Sequence, residues 1–150
     1  MSNIPTPAIK YRSGLSSAGA YQVSAIPYLS GSSATIPGTN SASWQVSFPY
    51  ITKWITIENK GSNALRIGFS DNGVRGITND TPKENYFVLA APGDNGLSRI
   101  TLDLRVKDIF LATDHATQTT TAQIVAGVTM IPTEELTGAQ SNWSGSSGVG

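Results

Sequence analysis

From residue 41 to residue 132 the chain alternates apolar and polar residues with a period of two, the spacing of strands that bury one face. Trp44, Val46 and Phe48 alternate with Ser43, Gln45 and Ser47 until Pro49 breaks the run. Ile51, Ile55 and Ile57 share one parity, with Thr52, Trp54, Thr56 and Glu58 on the other. Asn59-Lys60-Gly61-Ser62-Asn63 is turn chemistry, and Leu65, Ile67 and Phe69 resume the alternation, which predicts a hairpin. Residues 70–83 hold Asp71-Asn72-Gly73 and Asn79-Asp80-Thr81-Pro82 and read as a long polar loop. Tyr86-Phe87-Val88-Leu89 predicts a short strand and Ala91-Pro92-Gly93-Asp94-Asn95-Gly96 a turn. Ile100, Leu102 and Leu104 mark the next strand. Its inward parity changes near Arg105-Val106, which predicts a bend or bulge before the strand continues to Leu111. A threonine-rich stretch over 113–121 precedes a final strand, Ile124 to Ile131.

The two ends read differently. Residues 1–40 are rich in Ser, Gly, Ala and Pro, and Ile4-Pro5-Thr6-Pro7 favours an extended start, because proline also restricts the residue before it. Tyr21-Gln22-Val23 predicts one short strand that Pro27 confines to a sheet edge, and residues 29–40 read as loop. Thr133-Glu134-Glu135-Leu136 starts a helical turn that nothing sustains, and residues 138–150 are a Ser- and Gly-rich tail containing Trp143. The expected organisation is a flexible N-terminal arm over 1–40, a β-sandwich over 41–132 and a flexible tail over 133–150. Roughly seven or eight strands at 8–12-residue spacing, without a capped 3.6-period segment, predict an all-β antiparallel sandwich, specifically a single jelly roll. An up-and-down barrel is the structural alternative.

Composition narrows the function classes. Ten basic and ten acidic residues cancel, so the basic surplus of a phosphate-gripping protein is missing and direct nucleic-acid binding is not expected. Charged residues make up 13% of the chain, against about a quarter in ordinary domains. A surface so poor in charge is weakly protected against association, which suits life in an assembly. The plainer alternative is a soluble monomer with a polar, uncharged surface. The sequence holds no Cys, which excludes disulfides and thiolate chemistry. No apolar run approaches the roughly 20 residues of a membrane-spanning helix, and Met1-Ser2-Asn3-Ile4-Pro5 does not read as a secretory signal.

Candidate chemistry is sparse. The single histidine, His115, follows Asp114 in the threonine-rich loop. Adjacent residues of an extended chain point apart, and no Gly-x-Ser-x-Gly elbow presents a nucleophile, so a solvated loop residue is expected. Asp103, Asp108, Glu134 and Glu135 have no evident pairing across a cleft, so the expected reading is solvated acids. Asp71-Asn72-Gly73 and Asp94-Asn95-Gly96 repeat, but lack the alternating oxygens and closing Glu of a calcium loop, so both read as tight turns. No cofactor fingerprint occurs and neither a metal nor a cofactor is expected. Trp44 reads as core. Trp54 shares the polar parity of its strand and is a candidate for stacking on a sugar or anchoring a protein contact, against packing in a two-sided core. Asn142-Trp143-Ser144 has the form of a glycosylation sequon.

Four stretches carry a family texture: Phe48-Pro49-Tyr50-Ile51 running on through Trp54-Ile55-Thr56-Ile57-Glu58-Asn59, then Leu65-Arg66-Ile67-Gly68-Phe69-Ser70, Leu102-Asp103-Leu104-Arg105-Val106-Lys107, and Ala126-Gly127-Val128-Thr129-Met130-Ile131-Pro132. Together the region 41–132 resembles the small single jelly-roll structural proteins of large icosahedral DNA viruses, including penton and minor capsid or cement proteins. The resemblance implies a virion protein without enzymatic activity. Its implied partners are further copies of itself, five at a vertex, and other capsid proteins. Arm and tail would then order on neighbouring subunits. The absence of a strongly basic arm departs from genome-binding capsid proteins. Candidate interface residues are Ile4, Pro5, Pro7 and Ile9 of the arm, Trp54, and Trp143 of the tail. The rival reading is a carbohydrate- or receptor-binding module using Trp54 and Tyr86. A hydrolase, the third, would need His115 within reach of a nucleophile and a carboxylate.

Overall fold

The computed structural model of the chain describes residues 14–15, 18–31, 35–76 and 85–136. They form an antiparallel β-sandwich of two four-stranded sheets. In chain order the elements are α1 (Ala18–Gln22), β1 (Ile26–Gly31), β2 (Trp44–Ser47), β3 (Thr52–Asn59), β4 (Leu65–Gly68), α2 (Asp71–Arg75), β5 (Phe87–Leu89), β6 (Arg99–Leu102), β7 (Asp108–Thr113), β8 (Ala122–Val128) and a 3-10 turn (Thr133–Glu135). One sheet runs β1-β8-β3-β6 and the other β2-β7-β4-β5. Every connection except that from β4 to β5 therefore crosses between sheets.

The core forms where the inward parities meet. Ile55, Ile57, Ile124, Ala126 and Val128 of the first sheet pack on Val46, Leu65, Ile67, Leu89, Ile109 and Leu111 of the second, all buried. Tyr28 of β1 closes this layer edge-on against Phe48, with ring centroids 5.2 Å apart. Alternation is clean where only one face is covered. It vanishes in β7, buried at every position, because Phe110 and Ala112 on its outer side are covered by Val74 of α2 and by Tyr86.

The structure corrects several sequence expectations. Strands β3 and β4 are not a hairpin, since they belong to opposite sheets. Asn59 holds the corner between them: its amide Nδ2 donates to the carbonyls of Asn63 (2.8 Å) and Ala90 (3.1 Å). Its Oδ1 accepts from the Gly61 N–H (3.1 Å) and the Thr120 hydroxyl (2.9 Å). The parity change near Arg105-Val106 marks the passage from β6 in one sheet to β7 in the other, not a bulge within a strand. The bulge lies at Lys53, where the β3–β8 register slips between Thr52 and Trp54. That extra residue turns Thr52 inward, where its hydroxyl donates to the Leu104 carbonyl (2.6 Å) and accepts from the Val106 N–H (3.0 Å). The polar loop after β4 opens with a helical turn, α2, whose N-cap Ser70 accepts from the Gly73 N–H. Its close approach to β4 requires Gly68, because a Cβ there would stand 2.8 Å from Val74 Cβ.

The sandwich also begins before residue 41. β1 pairs with β8 over Ile26–Gly31, taking in the first residues expected to be loop, and Tyr21-Gln22 lie in α1 rather than in a strand. Pro27 sits on an edge strand as expected, five residues on. Ile36 is fully buried and exchanges backbone hydrogen bonds with Thr120. Arg105 donates to the Leu15 carbonyl and Lys53 to that of Val23, so both of these residues are tied to the domain.

Candidate interaction surface

Among the described residues the candidate titratable side chains lie apart from one another. His115 is exposed, and its Nδ1 accepts from the backbone N–H groups of Thr117 and Gln118, both at 3.1 Å. In the neutral ring this places the proton on Nε2. Asp114 turns instead to Arg66, whose Nε lies 2.6 Å from its carboxylate and whose guanidinium stacks 4.0 Å above the Tyr86 ring. Asp108 is buried and accepts from Gln45 Nε2, whereas Asp103, Glu134 and Glu135 are exposed on other parts of the surface. Among the described residues no cluster of three His, Asp or Glu side chains has metal-site geometry. No helix among them is long and apolar enough to cross a membrane.

Asp71 is a carboxylate held in a dense network. It accepts from the Ser43 N–H (2.8 Å) and hydroxyl (2.6 Å) and pairs with Arg75 (3.1 Å), which in turn donates to the Thr39 carbonyl. Burial pushes its carboxyl up, but the Ser43 hydrogen bonds and Arg75 outweigh that and hold it below its ordinary value of 3.8. These partners join α2 to the segment entering β2. The network is structural.

What the fold does present is an open sheet face with an apolar edge. A groove of about 420 Å³ crosses the outer side of the first sheet, lined by Leu29, Thr56, Glu58, Arg99, Gln123 and Val125 among others. At its rim, β1 is an outermost strand. On it Leu29 is 78% exposed and Ile26 43%, two apolar side chains left uncovered on the edge strand. Sheet edges with unpaired backbone groups are ready templates for another chain. Pro27 blunts this edge without covering it.

Of the six candidate interface residues, Trp54 lies among the described residues. Ile4, Pro5, Pro7, Ile9 and Trp143 lie outside them. Trp54 is half-buried on the outer face of β3, stacked over β8 where Gly127 leaves room: a Cβ there would lie 2.4 Å from Trp54 Nε1 and 2.6 Å from Ala25 Cβ. It anchors the lead into β1 rather than standing free. Tyr86 likewise lies under Arg66. The β1 edge is hard to read in the sequence because Pro27 breaks the run and Tyr28 and Leu29, both apolar, stand side by side without an alternating pattern.

Comparison of the chain with models of known protein families, with curated proteins and with solved structures gives no match.

Proposed function

We propose that this domain is a capsid component of an icosahedral virus, a penton or minor capsid or cement protein acting through contacts between sandwich domains in the virion. The observation that carries the reading is the strand order, β1-β8-β3-β6 facing β2-β7-β4-β5. That order is compatible with a single jelly roll, which supports the resemblance carried by residues 41–132. A fold alone does not fix a function. The low charge, the apolar β1 edge and the absence of a titratable cluster among the described residues add to it. Lateral contact then runs through the β1 edge, with the arm residues Ile4, Pro5, Pro7 and Ile9 and the tail residue Trp143 as further contacts. Closed symmetry is the usual outcome, and a vertex protein forms a pentamer. Co-sedimentation of the purified protein with capsid components tests this: binding supports the reading, and a monomer that ignores them at high concentration counts against it.

A carbohydrate- or receptor-binding module is the second reading, favoured by the groove with Glu58, Arg99 and Gln123 at its walls. Glycan-array binding lost on Arg99→Ala would favour it over assembly. An empty array would remove it.

A further inference from the structure

The sequence contains Asn-Gly twice, each time after Asp, and the fold treats the two copies in opposite ways. Asn-Gly is the least hindered context for attack of a backbone nitrogen on the preceding side-chain amide. We propose that Asn95, and not Asn72, is a site of spontaneous deamidation in the folded protein. Asn72 lies inside α2. The nitrogen that would attack, that of Gly73, is buried and donates to Ser70 Oγ at 3.0 Å. Helical backbone and capping bond together keep it from the side chain. Asn95 sits in the turn between β5 and β6, where every residue from Pro92 to Leu97 is exposed. Gly93 and Gly96 have positive φ (96° and 156°), and among the described residues the Gly96 N–H has no hydrogen-bond acceptor. The turn is closed at its base by the Ala90 N–H donating to the Leu97 carbonyl (2.8 Å).

In the reaction the Gly96 nitrogen bonds to Asn95 Cγ and the Cγ–Nδ2 bond breaks. Ammonia leaves with the amide proton and a succinimide remains. Water then adds to either ring carbonyl and opens one C–N bond, giving aspartate or isoaspartate without any redox change. The product carries one added negative charge on a chain whose formal net charge is zero. Its isoaspartate form adds a backbone methylene to the turn leading into β6.

Peptide mapping by mass spectrometry after incubation of the folded protein at mildly alkaline pH tests this, since each event raises the mass by about one dalton. The expected result is conversion at Asn95 at least about tenfold faster than at Asn72 in the folded state, and within about twofold in urea, where the protection is gone. Ser70→Ala should speed Asn72 alone, and Asn95→Gln should remove the acidic isoform on isoelectric focusing. Equal rates at the two sites in the folded protein, or an Asn95 that reacts in urea but not when folded, would overturn the proposal.

Discussion

At the residue scale, two positions govern much of the local geometry through opposite means. Gly127 works by absence. Trp54 lies where the Gly127 side chain would be, so Gly127→Ala forces the indole off β8 or bends the strand, at a cost of about 2 kcal/mol. Urea unfolding followed by Trp fluorescence measures this, and Trp54→Ala in the same chain should recover part of the loss, because the two residues are in contact. Asn59 works by presence. Its amide is buried and serves two carbonyls, one N–H and one hydroxyl drawn from different segments. Asn59→Ala leaves those groups unpaired in the interior and should cost about 3 kcal/mol, read from the urea midpoint. The sequence marks Asn59 only as the start of a turn, since a polar residue at a strand end is usually solvated.

At the element scale, legibility followed the periodicity. β2, β3, β4 and β6 were readable because each buries one face, so their composition alternates. β5 was readable as a short apolar and aromatic run. α2 was not, because five residues cannot show a helical period; its signals were Ser70 as cap, Asp71 in the first turn and Gly76 after the last. β1 was hidden by Pro27, which suits an edge but reads as a break. The pairing of strands was less legible than their existence. Nothing in residues 59–65 states that the chain changes sheet, because the corner is fixed by contacts with Ala90 and Thr120, distant in sequence. Of the interface candidates Trp54 lies among the described residues, and its packing on Gly127 is written in a strand 73 residues further along the chain.

The link between α2 and the entry to β2 makes a pH prediction at the same scale. The Asp71 carboxyl is held below 3.8 in the folded protein. Its contribution is therefore present above that value and is lost as pH falls through the lower, folded value. Asp71→Asn should flatten the acid limb of the stability–pH curve relative to the parent chain. An unchanged limb would mean that the Ser43 and Arg75 contacts add nothing to folding.

At the scale of the whole molecule, nearly every connection passes from one sheet to the other, so neither sheet can be completed before the other begins. Long-range pairing of this kind predicts slow folding relative to helical domains of equal length. The same topology leaves β1 at an edge with Ile26 and Leu29 exposed, in a chain with little charge to keep neighbours apart. That surface is the basis of the assembly proposed for this domain. The most direct test is the native mass of the purified protein by light scattering, measured beside Leu29→Asp. The account predicts a closed oligomer of the 15.8 kDa chain, five copies for a vertex protein, that Leu29→Asp reduces toward the monomer. A parent chain that stays monomeric at high concentration, alone and with capsid components, would contradict it.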